Sequence, residues 1–233
     1  MSPMEVVALL VGPQLVGAVV GLALSLRLTT TAWPESVRIQ DRPHPRERFV
    51  SHLPLILGNL AVLLGSAGAG AYFFYDSLFH SLPGPLSLVA QLALVFVLDD
   101  LYFYFFHRLL HEHKGLYRRI HKIHHEAYSP LPLEYIYAHP LEWMGGAVGV
   151  LGGFAAVWFV WGELSVWTVA IVGSLRQLHE LDIHSGAKAT LARWVPLLAV
   201  ADDHDLHHAK PTQGNYASTL RIWDRVFGTV AGG

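Results

Sequence analysis

The chain predicts an all-α fold, a polytopic membrane helical bundle with a histidine-rich helical cap on the cytoplasmic side, and three observations point to it. Hydrophobic residues make up 52% of the 233 residues and charged residues only 15%, a balance more apolar than that of an average soluble domain. Mostly apolar stretches long enough to cross a hydrocarbon core recur along the chain. The histidines, 15 in all, gather where those stretches end.

The first stretch, residues 4–26, contains no Lys or Arg from Met1 to Leu26, so it lacks the basic leader of a secretory signal and is expected to stay as an anchor. Pro34, Pro43 and Pro45 among mixed charges mark residues 30–48 as a connecting loop or short surface helix. Residues 52–75 form the second stretch, and Pro83-Gly84-Pro85 closes a tight outer corner. The third, 86–106, is expected to run on or bend into a cytoplasmic helix through residue 128, ended by Ser129-Pro130-Leu131-Pro132. Residues 143–178 add two more crossings, broken at Trp161-Gly162-Glu163. Residues 1–233 therefore read as one membrane-embedded domain, with the histidine region at about 95–229.

Gly65, Gly68 and Gly70, and the run Gly145, Gly146, Gly149, Gly152 and Gly153, lie inside apolar stretches with no strand before them. That context predicts close helix packing and not a nucleotide loop.

The basic residues supply an independent test of topology. If the crossings alternate, Arg27, Arg38, Arg42, Arg46 and Arg48, then Arg108, Lys114, Arg118, Arg119 and Lys122, then Lys188, Arg193, Lys210, Arg221 and Arg225, with Arg176 at the border, share one side. That accounts for all 16. Cytoplasmic segments hold the excess of Lys and Arg, so the histidine clusters are expected to face the cytoplasm. A net charge of −2 spreads no basic field, and no nucleic-acid partner is expected. With no cysteine, disulfides, thiolate ligands and cysteine nucleophiles are excluded together.

Two copies of His-x-x-His-His stand in the chain, His121, His124, His125 and His204, His207, His208. Chance would supply roughly 0.06 such triplets at this histidine frequency, so composition alone does not explain a duplicate. On a helix, positions i, i+3 and i+4 share one face, which predicts that each triplet aims three imidazoles at a common point. His107 and His111 add an i, i+4 pair of the kind that divalent-metal sites use. A solvated basic face would use Lys and Arg, whereas packed imidazoles repel when protonated and suit a metal that requires them neutral. His179 and His184 stand five apart, roughly 140° around an ideal helix, so both join a site only if the helix ends between them, as Ser185-Gly186 permits. About ten histidines serve two ions better than one, and redox metals such as iron suit imidazole, with zinc an acceptable substitute. His44, His52, His80 and His113 stand apart and are expected to be structural or surface residues.

Further residues carry a resemblance. Asp100-x-x-Phe103-Tyr104-x-x-His107-Arg108-x-x-His111, Tyr117-Arg118-Arg119-Ile120-His121-Lys122-Ile123-His124-His125 and His139-Pro140-Leu141-Glu142 are similar to motifs of the integral-membrane fatty acid hydroxylase and sterol desaturase superfamily. His204-Asp205-Leu206-His207-His208, Asn215-Tyr216 and Trp223 to Thr229 resemble its closing signature. The resemblance implies a nonhaem diiron centre on the cytoplasmic face that activates dioxygen and hydroxylates or desaturates an aliphatic chain. Carried over by position, its ligands are His107, His111, His121, His124, His125, His179, His184, His204, His207 and His208.

Ligating imidazoles usually donate their second N–H to a carboxylate, which makes Asp100 and one of Asp202, Asp203 and Asp205, Asp205 foremost, candidate partners. His139 and Glu142 either line a substrate entrance or hold the helix turn at Pro140. No nucleophile or general base is required. No nicotinamide, flavin or haem fingerprint is present, so two electrons are expected from an external electron-transfer protein, and the lipid substrate from the bilayer. Two other classes compete. A metal transporter would place its ligands near the bilayer midplane on interrupted helices; a zinc hydrolase needs about three ligands and a carboxylate base, for which Glu112 or Glu126 would serve.

Overall fold

The computed structural model describes residues 1–30, 36–39, 45–188, 194–195 and 197–231; Arg42, His44 and Arg193, and most of the expected connection at 30–48, lie outside them. Three helices of 28 residues, α1 (Pro3–Thr30), α2 (Arg46–Phe73) and α3 (Pro85–Glu112), are followed by a one-turn α4 (Lys114–Leu116), α5 (Pro140–Trp161), α6 (Val166–Ile183), α7 (Ala201–Ala209) and the short α8 (Ile222–Val226). Among the described residues there is no β-strand, only isolated bridges. Helices α1, α2, α3 and α5 are long and apolar enough to cross a membrane. The last expected crossing, α6, is not among them, because Arg176, Glu180 and Asp182 interrupt its second half.

The helices pair as α1 with α2, α3 with α5, and α1 with α6. Along α3–α5 the pairing follows from missing side chains: a Cβ on Gly149 would lie 2.9 Å from the Asp99 carbonyl oxygen, and one on Gly153 would lie 2.9 Å from Val95 Cγ1. The expected glycine packing therefore holds there. It fails for Gly65, Gly70 and Gly152, which have nothing within 4 Å and so face outward from the bundle. Buried polar pairs add register. Arg176 Nε meets Asp99 Oδ2 at 3.0 Å, and Thr168 Oγ1 meets Gln91 Oε1 at 2.6 Å.

One end of the bundle gathers the segments that carry no Lys or Arg. Phe79 N–H donates to the Leu164 carbonyl and Val166 N–H to that of Phe79, each at 2.9 Å, while the Tyr75 hydroxyl bonds the Met1 carbonyl. Helix α3 starts at this end. A 28-residue helix is roughly 42 Å long, against a hydrocarbon core of about 30 Å, so its last turns stand beyond the apolar stretch. Those turns carry His107 and His111.

Beyond α3 the chain is not the continuous helix expected. His113 leaves the α region (φ −87°, ψ 100°) and caps α4 by accepting the Leu116 N–H at its Nδ1. A π-helical turn (Tyr117–His121) and two 3-10 turns (His124–Glu126 and Pro132–Ile136) follow. These turns pack under α1 and α2 through Leu131, Leu133, Ile136 and Tyr137, against Phe49, Ile56 and Leu60. Asn59 in α2 donates to the carbonyls of Ile136 and Ala138, both at 2.9 Å. His52 is structural too, its Nδ1 lying 2.6 Å from Glu134 Oε1 while its ring stacks on Tyr137.

Candidate metal centre

The end of α3, the irregular turns after it, the first residue beyond α6 and helix α7 bring nine histidines together. His107, His111, His121, His125 and His207 form one group, and His124, His184, His204 and His208 a second; within each, one nitrogen per ring lies within 4.8 Å of every other. The groups adjoin, with 4.8 Å between the ring centroids of His125 and His208 and 5.7 Å between those of His121 and His124.

The doubled triplet does not act as two three-ligand units. His121 and His125 enter the first group and His124 the second, whereas His204 and His208 enter the second and His207 the first. The physical reason differs between the copies. Residues 117–126 wind as π and 3-10 turns, so α-helical phase does not apply to the first. On α7 the i, i+4 pair shares one line while the i+3 residue projects about 60° away, into the neighbouring group.

His179 is not brought into either group. It lies on α6, one turn before the helix ends at Ile183, and its Nε2 contacts the Ser218 carbonyl at 2.9 Å. His184 follows the last helical residue and turns inward, with its Nε2 3.0 Å from that of His204.

In four of the rings the outer nitrogen fixes the direction of the inner one. Nδ1 of His107 donates to the Tyr216 carbonyl (2.7 Å), that of His207 to Gly214 (2.8 Å), that of His124 to Tyr137 (3.1 Å) and that of His184 to Glu180 (2.8 Å). A neutral ring whose Nδ1 carries the proton presents a lone pair at Nε2. In the first group those nitrogens close on one another, His121 to His111 at 2.7 Å, His125 to His121 at 3.0 Å and His107 to His121 at 3.1 Å. Nε2 of His207 is buried without a hydrogen-bond partner. Converging lone pairs repel unless a cation lies among them, so the donor set fits a metal ion that takes imidazole nitrogen.

Electrostatics point the same way. Burial, followed by the neighbouring imidazoles, holds His121, His125, His204 and His208 well below the ordinary imidazole range. Desolvation likewise lowers His124 to about 3 and His207 to about 4, and it lowers His184 against the opposing pull of Glu180. Neutral rings are the form that binds metal.

Of the carboxylates expected beside the ligands, Asp100 does something else. Its oxygens accept the backbone N–H groups of Thr219 and Leu220, each at 2.8 Å. Asp224 accepts those of Tyr216 and Ala217, both at 2.9 Å, and the Thr229 hydroxyl at 2.7 Å. Together they pin residues 216–220, the segment whose carbonyls face His107 and His179. Asp205 is buried within α7. Asn215 takes a left-handed conformation (φ 57°), with its side chain bonded to the Asp203 carbonyl and the Ala231 N–H.

Two residues missing from the expected site bear on it. Glu142, left open by the sequence, has Oε1 2.9 Å from His121 Nδ1, and Glu180 Oε2 lies 3.6 Å from His184 Nδ1. The acid at the third position after His139 was a visible signal for Glu142; Glu180 had none beyond its i, i+4 spacing to His184. His139 itself caps α5, accepting the Leu141 N–H at 3.2 Å.

The family model for fatty acid hydroxylase matches residues 92–229. The chain is similar to methylsterol monooxygenase 1 of Rattus norvegicus, 40% identical over 82% of this chain and 65% of that protein, and to its namesake in Gallus gallus, 37% identical over 78% and 57%. It is also similar to the C-4 methylsterol oxidase of Candida albicans, 39% identical over 64% of this chain and 49% of that protein. The chain spans about half to two thirds of the length of these curated relatives. No solved structure matches it. The chain belongs to the fatty acid hydroxylase family, within the sterol desaturase superfamily.

Proposed function

We propose that this family member is a membrane-bound nonhaem diiron oxygenase that hydroxylates an aliphatic C–H bond of a methylsterol, using dioxygen and two external electrons. The observation that carries the reading is the pair of adjoining all-imidazole groups, five nitrogens and four, in a chain whose relatives are named for methylsterol oxidation. His107, His111, His121, His125 and His207 hold one ion and His124, His184, His204 and His208 the other; His179 supports the loop beside them.

Two iron ions held there supply the redox equivalents that activate dioxygen toward an unactivated C–H bond. The protein contributes the rest. Carbonyls at Nδ1 of His107, His124, His184 and His207 lock tautomer and ring orientation there, and burial keeps the rings neutral and limits water. Hydroxylation balances as substrate C–H, dioxygen, two electrons and two protons giving C–OH and water. Desaturation would consume the same oxidant and electrons to give an alkene and two waters, but the relatives' names favour oxygen insertion.

The histidine end faces the cytoplasm in this reading, supported by the one-sided Lys and Arg. Lys114, Arg118, Arg119 and Lys122 are exposed there and offer a docking face for an electron-transfer protein. The histidines gather at the end of α3 and on the turns beyond it, which argues against a transporter's midplane site. The experiment is turnover of a 4-methylsterol with an electron donor under an oxygen-18 atmosphere. Labelled hydroxyl in the sterol supports the proposal; an unlabelled alkene reassigns it to desaturation, and metal uptake into vesicles without oxygen consumption rejects it.

A further inference from the structure

Resting on that metal centre, we infer that Glu142 is a positioning residue of the first histidine group, its carboxylate holding the His121 ring at Nδ1 and supplying an anionic charge to a set of neutral imidazoles. His121 is buried at 1% exposure and Glu142 at 8%, with 2.9 Å between Nδ1 and Oε1. Nδ1 of His121 and Oε2 of Glu142 are both buried and make no hydrogen bond in the protein, so the 2.9 Å approach is a contact at ion-pair distance. Among the described residues no Lys or Arg pairs with this carboxylate, and no other histidine of the first group lies within salt-bridge distance of an Asp or Glu.

The simpler account makes Glu142 a helix-start residue. It occupies the third position of α5 after the cap His139, where a glutamate commonly reaches back to the cap's own N–H. Here the side chain is directed instead across to the π-helical turn that carries His121. The start of α5 is served by His139, whose Nδ1 accepts the Leu141 N–H. A buried carboxylate without a cationic partner opposes folding. Its position against a ligand imidazole fits an arrangement in which a bound cation offsets the charge, and a carboxylate on the far nitrogen raises the donor strength of the ring.

The test uses the full chain in detergent, stripped of metal and titrated anaerobically with Co(II), read by its visible absorption and by metal content. In Glu142→Gln the affinity of one of two sites should fall by roughly 10–100-fold, the range for such supporting carboxylates, with the other site unchanged. Metal-free Glu142→Gln should melt no lower than the wild type, because Gln keeps the shape of the side chain while removing a buried acid. His139→Ala, which disturbs the start of α5 without touching the carboxylate, should keep both affinities within about threefold.

Unchanged binding by Glu142→Gln overturns the inference, as does a loss that His139→Ala reproduces or a lowered melting temperature in the metal-free Gln variant. A wild type that binds two equivalents while Glu142→Gln binds identically removes only the role of Glu142. A wild type that takes up no metal removes the proposed centre with it.

Discussion

The two histidine groups are built by opposite strategies. Four of the five residues in the first, His107, His111, His121 and His125, come from one short stretch, and only His207 is distant. The second takes His124 from that stretch and His184, His204 and His208 from the C-terminal half. Their supports run the other way. His107 depends on the Tyr216 carbonyl, 109 positions along the chain, whereas His184 bonds a carbonyl four residues back on its own helix and His124 one 13 residues ahead. His107 of the locally encoded cluster is thus oriented by distant backbone, although His207 takes a carbonyl seven residues ahead, and the distantly assembled cluster is oriented by local backbone. The first group cannot form before α3, the 117–126 turns and α7 have come together, and the second needs those turns, the residue after α6 and α7.

The largest effects should come from removing one ligand in each group. His125→Ala is expected to lose the ion of the first group and His208→Ala that of the second, with product formation falling about 100-fold or more in both. The helices that cross the membrane are untouched by either change, so both variants should insert normally. Metal content and sterol turnover check this; equal loss of both ions in both variants would mean that the groups are one cooperative site.

Next in size is the loop that supports only the first group directly. Asp224→Asn sets an amide N–H against backbone donors, and leaving one of them unmet costs about 1–3 kcal/mol. Because Asp224 orders Tyr216, whose carbonyl faces His107, the first group's metal affinity should weaken more than the second's. Thermal melting with Co(II) titration measures both quantities, and a larger loss at the second group would break the comparison.

Acid should act on both groups together. Burial holds His124 at about 3 and His207 at about 4, below the ordinary imidazole value of 6.5, so the unfolded chain takes up protons first as pH falls. The stability due to these rings is present in full above 6.5 and is lost progressively down to the folded values. The melting temperature of the metal-free protein should therefore hold above about pH 7 and drop as pH falls from 6.5 toward about 4. A flat profile would mean that the rings are not desolvated.

The smallest effect belongs to His179. Its Nε2 engages the Ser218 carbonyl, so His179→Ala should keep metal content and change affinity by less than about tenfold. Loss of an ion from this variant would restore it as a ligand and enlarge one of the groups.

This order of effects follows what was legible in the sequence. The long apolar helices were readable from length and composition, because burial in lipid leaves no polar periodicity to interpret. His107 and His111 were readable as a pair because α3 stays regular through them. The partition of the triplets was not, since it depends on π and 3-10 turns that no spacing rule encodes and on a 60° offset that gains meaning only beside a second group. Asp100 was visible as a motif residue but not as the anchor of Thr219 and Leu220, because a contact across 119 positions leaves no local trace. The glycines show the same limit: Gly149 and Gly153 face α3 while Gly65 and Gly70 face outward, and composition treats them alike.

The central claim is that two adjoining imidazole groups hold two ions, and the iron content of the wild-type protein after anaerobic, iron-replete purification tests it most directly. Two ions per chain are predicted, and a ratio near one, or none, would contradict it.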